Sequence, residues 1–129
     1  MKYFNEWNAI KKKIDAKEKT IQFKEREIFW VSIGENIGNE QNGKGDSFSR
    51  PVLVVKKLNK QLFFGVPLST KLREGTYFYQ FQFLENQKNS ALLVQAKIFD
   101  IKRADKKMGM IKKNDFIELK KMLKDLLDL

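Results

Sequence analysis

Arg50 stands directly before Pro51, at the end of the polar run GENIGNEQNGKGDSFS at residues 34–49. That run holds four of the seven glycines, together with Glu40, Gln41, Lys44 and Phe48. Loops of this length without regular structure are uncommon in compact domains and usually serve function or remain disordered. A guanidinium at its end is a permanent cation that can grip a phosphate through two parallel hydrogen bonds. The chain contains no histidine and no cysteine. Acid–base catalysis by imidazole, histidine-held zinc, disulfides and thiolate metal sites are therefore excluded. Net charge is +10 with an isoelectric point near 9.7. This points to a polyanionic partner: nucleic acid, an acidic protein segment or an anionic membrane surface. A solvated lysine-rich surface would give the same balance.

The stretch GNEQNGK, Gly38 to Lys44, fits the first seven positions of a phosphate-binding loop. Three features argue against that reading. Gly45 occupies the place of the magnesium-binding hydroxyl. Glu40 would direct negative charge at the phosphates. The segment that follows reads as a strand, so no helix N-terminus is available to hold the anion.

The elements that must position Arg50 are mostly strands. EIFWVSI (Glu27–Ile33), PVLVVKK (Pro51–Lys57), QLFFGVPLS (Gln61–Ser69), TYFYQFQFL (Thr76–Leu84) and SALLVQAKIFDI (Ser90–Ile101) are rich in β-branched and aromatic residues. Proline can open a strand, because its first residue need not donate to the ladder. Tyr77, Tyr79, Phe81 and Phe83 fall on one face at period two and read as core. ENQKN reads as a turn, and Lys102 to Lys107 as a short polar link with helical character. NDFIELKKMLKDLLDL is an amphipathic helix, with Asp115 and Glu118 spaced as a capping box. Near the N-terminus Phe4, Trp7, Ile10 and Ile14 recur at helical spacing from about Tyr3 to Lys17. We expect a basic helical leader over 1–24 and one domain over 25–129. The leader lacks an apolar core and a cleavage site for secretion, which suits a cytoplasmic protein. The fold class expected is mainly β (α+β): a small, strongly bent antiparallel sheet or barrel with a helix at each end.

Three ordered blocks resemble the MazF/PemK toxins of toxin–antitoxin modules. They are FWVSIGENIGNEQNGKG…SRPVLVV, then GVPLSTK, then SALLVQAKIFDIKRADKKMGMI. The family's E-Q-x-G-x-R-P loop, hydroxyl pair and Q-x-[RK] strand correspond to Glu40-Gln41…Arg50-Pro51, Ser69-Thr70-Lys71 and Gln95-Ala96-Lys97. The insertion NGKGDSFS between Gln41 and Arg50 is longer than the family pattern. The resemblance implies an SH3-like barrel, a homodimer, and cofactor-free, metal-independent cleavage of single-stranded RNA. It further implies an antitoxin whose acidic, flexible segment covers the RNA groove.

The residues suit that chemistry. Cleavage by the 2′-hydroxyl requires removal of its proton, stabilisation of phosphoryl charge and departure of the 5′-oxygen. Arg50 fits the second task and is a poor general acid, because its pKa lies above about 12. Ser69 can hydrogen-bond a phosphate oxygen or the 2′-hydroxyl. Glu40 is the candidate base, or it orients Arg50. Gln41, Lys44, Phe48, Thr70, Lys71, Gln95 and Lys97 complete the expected RNA contacts, Phe48 by stacking on a base. Taken singly, such an arginine is more often a surface ion pair and such a serine a turn former. Two other functions fit the same sequence: a non-cleaving nucleic-acid binder, and a CcdB-like toxin acting on a topoisomerase. A purely structural module, with the Tyr77–Phe83 face as its partner surface, ranks below both.

Overall fold

The computed structural model describes residues 21–33 and 49–129. The expected leader helix, Glu40, Gln41, Lys44 and Phe48 lie outside these residues. Among the described residues, seven strands form one antiparallel sheet: β1 (Glu27–Ser32), β2 (Ser49–Lys57), β3 (Leu62–Ser69), β4 (Phe78–Leu84), β5 (Gln87–Leu92), β6 (Lys97–Asp100) and β7 (Ala104–Met110). The order is β4-β5-β3-β2-β1-β7, with β6 pairing to β3 beside this path. Helix α1 (Lys113–Leu126) closes the chain.

The central strands are apolar on both faces because each face meets a core. On β1 and β2, Ile28, Leu53 and Val55 enter one cluster, while Phe29, Val31, Val52 and Val54 enter another. The first is covered by Phe116, Leu119 and Leu123 of α1. The second is closed by Phe23, Phe63 and Phe99, with ring centroids 5.4 and 5.6 Å apart. Two-sided burial turns the alternating pattern of a half-exposed strand into a continuous hydrophobic run. Register shifts between Val54 and Lys56 on β2, and twice along β1–β7, let the sheet curl. The curl brings β7 to β4: a Cβ built on Gly109 would sit 2.9 Å from the Phe83 ring.

Four local expectations are corrected. Ser90–Ile101 is two strands, separated by a 3-10 turn at Leu93–Gln95. Ala104–Met110 is a strand on β1 rather than a helical link. Its lysines suit a sheet edge, where charge discourages pairing with other chains. The ENQKN turn shrinks to Glu85-Asn86, with Asn86 in the left-handed region at φ 58, a conformation asparagine tolerates. Asp115 is not a cap. The cap position is Lys112, without a side-chain bond, and Asp115 in the first turn accepts the Tyr79 hydroxyl at 2.7 Å. Three of the four period-two aromatics are core, Phe81 buried with Tyr79 and Phe83 packed against its cluster, whereas Tyr77 precedes β4 and is 52% exposed.

Candidate functional site

Strand β2 begins at Ser49, not at the proline, so Arg50 lies within the ladder opposite Val31. Its backbone is held by the sheet rather than by a loop. Val52 faces Pro67 on β3. Two steps back along β2 and two steps on along β3 bring Arg50 and Ser69 to the same level. Both line one recess of about 210 Å³. That is smaller than the roughly 300 Å³ at which drug-sized ligand sites begin, and it suits a small part of a longer ligand.

Arg50 is only 3% exposed, and Nη1 donates to the Leu68 carbonyl at 3.1 Å. Burial, and then the nearby charge of Arg73, lower its pKa from the ordinary arginine value. Both effects penalise the cation, yet an arginine in a protein does not lose its proton. A cation shielded from water in this way interacts more strongly with an anion brought beside it. Arg73 is itself anchored: its amide donates to Ser90 Oγ and its carbonyl accepts Gln80 Nε2, both at 2.9 Å. Its guanidinium stands 5.8 Å from the Phe78 ring centroid.

Ser69 is 6% exposed, and its Oγ accepts the Lys71 amide at 3.1 Å. This local turn fixes the hydroxyl and leaves its proton to donate elsewhere. Thr70 lies beside it in the recess. The remaining walls come from Trp30 of β1, Phe83 and Leu84 of β4, Met108 of β7, and Gln87 and Asn89 of β5. Asn89 is 2% exposed, and its Nδ2 has no hydrogen-bond partner among the described residues. Such an unmet donor costs about 1–3 kcal/mol, so its retention calls for an explanation.

A family model for PemK-like, MazF-like toxins of type II toxin–antitoxin systems matches residues 24–127. The chain belongs to this family. Among solved structures, MazF from Deinococcus radiodurans superposes with a TM-score of 0.64 at 15% identity, covering 87% of this chain and 100% of that one. The Mycobacterium tuberculosis toxin MazF-mt6 gives 0.62 at 14% identity, covering 81% and 98%. An endoribonuclease in complex with its cognate antitoxin, from a mycobacterial species, gives 0.61 at 11%, covering 81% and 94%. These likenesses carry the fold. No curated protein sequence matches the chain.

Of the residues the sequence singles out in this toxin, the fold brings Arg50, Ser69 and Thr70 together in the recess. Lys71 is exposed at its margin, tied to Ser69. Gln95 and Lys97 do not share a strand face. Gln95 is in the 3-10 turn, and Lys97 pairs with Gly65 on β3. Gly65 is four residues from Ser69, about 13 Å at the usual strand rise. Neither residue lines the recess. Trp30, Phe83, Gln87, Asn89 and the neighbouring Arg73 went unrecognised in the sequence. Asn89 was hidden by placing it in a turn; a tight left-handed turn at Asn86 would have put it on a strand.

Proposed function

We propose that this toxin is a metal-independent endoribonuclease that cleaves single-stranded RNA by internal 2′-hydroxyl attack. The observation that carries the reading is that the buried Arg50 and Ser69 line one small recess. In the reaction the 2′-oxygen bonds to phosphorus while the bond to the 5′-oxygen breaks. Arg50 takes up the charge that grows on the non-bridging oxygens. Its desolvation strengthens that interaction, and its fixed position avoids reorganisation during the reaction. Ser69, oriented by the Lys71 amide, donates a hydrogen bond to a phosphate oxygen. Glu40 removes the 2′-proton or orients Arg50. The leaving 5′-oxygen takes a proton from solvent water, and the upstream product ends in a 2′,3′-cyclic phosphate.

Thr70 and Lys71 at the margin, and Gln41, Lys44 and Phe48 in the glycine-rich run, extend the RNA contacts. Gln95 and Lys97 contribute outside the recess. The net charge of +10 suits both RNA and an acidic antitoxin segment. The MazE-MazF complex from Deinococcus radiodurans, 16% identical and with a TM-score of 0.62, supports an antitoxin partner. A cytoplasmic homodimer completes the proposal. The test is cleavage of a single-stranded RNA by the purified chain in excess EDTA. We expect cyclic phosphate, or the 3′-phosphate from its hydrolysis. Activity lost in EDTA and restored by magnesium would contradict the mechanism.

A further inference from the structure

We propose that Asn89 reads a base of the RNA, donating from Nδ2 to a keto oxygen and favouring uracil or guanine over cytosine or adenine at one position beside the cut. The inference rests on the RNA-cleaving reading. It begins from an asparagine that lines the recess, is buried to 2% and whose Nδ2 has no hydrogen-bond partner among the described residues. The walls around it, Trp30, Phe83, Leu84 and Met108, are apolar or aromatic, a lining suited to the flat face of a base. The phosphate-binding candidates Arg50 and Ser69 line the same recess. A base held there belongs to a nucleotide next to the bound phosphate.

The direction of the preference follows from the donor. Uracil and guanine present a carbonyl oxygen where cytosine and adenine present an amino group. An NH2 group meets the first with a hydrogen bond and the second with another donor. A buried polar group left unmet by the wrong base discriminates more strongly than an apolar wall does. Pairing with Phe81 of β4 fixes the point on the strand from which the Asn89 side chain leaves the backbone.

The experiment compares cleavage rates on RNAs carrying each of the four bases at every position flanking the cut. The wild-type chain should favour keto over amino bases at one position by about tenfold or more. Asn89→Asp keeps the shape but replaces the donor with an acceptor, and it should reverse that preference. A folded Asn89→Asp protein with the wild-type preference overturns the proposal. If Asn89→Asp does not fold, Asn89→Ser serves instead. It should bring the keto-to-amino ratio close to one, and an unchanged ratio overturns the proposal. If the wild-type chain cuts no RNA, the catalytic reading fails by itself. The base contact is then judged by fluorescence anisotropy with labelled oligouridylate and oligocytidylate. Tighter binding of oligouridylate, reduced by the Asn89 substitution, upholds it, and equal binding overturns it.

Discussion

The two ends of β3 are built for different purposes. At Leu62–Gly65 the strand meets β6, and Phe63 lies fully buried between Phe23 and Phe99. A Cβ on Gly65 would come within 2.8 Å of Phe63 and Val52, so the chains meet as closely as they can. Asn59 tightens the preceding turn by accepting the Gln61 and Leu62 amides at 2.8 Å. At the other end, Ser69 faces a recess containing a buried cation, a second arginine nearby and an asparagine with an unmet donor. One end is buried through apolar contact, and the other buries polar groups at a cost in desolvation. Where a small protein tolerates such costs in one place, a ligand is the natural explanation.

Substitutions should separate the two ends. The largest effect belongs to the apolar end. Phe63→Ala should cost about 3–5 kcal/mol in stability, because it leaves a cavity against Phe23 and Phe99. The recess should be spared, so denaturant melts should shift while cleavage per folded molecule stays near wild type. An equal loss of both would show the ends to be coupled. At the polar end, Ser69→Ala should slow cleavage by about tenfold, the worth of one hydrogen bond to a charged phosphate. Ser69→Thr should retain most activity because the hydroxyl remains.

The smallest effect lies away from both ends, where β4 meets α1. Tyr79 donates to Asp115, and burial, that bond and the Asp115 and Glu118 charges raise its pKa above the ordinary tyrosine value. The folded chain thus holds the proton more tightly than the unfolded one. The stability linked to it is intact below about pH 10 and declines as pH rises further. Tyr79→Phe should cost about 1 kcal/mol at neutral pH. It should also remove that part of the alkaline decline, measured by thermal melts of both proteins across the range.

Much of this division could be read in the sequence, but unevenly. The strands around Phe29, Val54 and Phe63 were legible because β-branched and aromatic runs leave few alternatives. The strand Ala104–Met110 was not, since ADKKMGM carries the polar pattern of a link and becomes a strand only through its pairing with β1. Arg50, Ser69 and Thr70 stood out by residue type and order. That Arg50 is buried on a strand depends on β1 pairing past the proline, which no local signal reports. Asn89 owes its burial to the register of β4–β5, so it could be found only once the hairpin at Asn86 was placed.

The central claim is that the buried cation serves chemistry and not the fold. Arg50→Ala tests it most directly when cleavage rate and melting temperature are measured on the same preparation. The account predicts a rate lower by about 10²–10³. It also predicts only a small change in melting temperature, since losing the bond to the Leu68 carbonyl is offset by removing a desolvated charge near Arg73. RNA cleavage at the wild-type rate, or a collapse in stability that accounts for the lost activity, would contradict it.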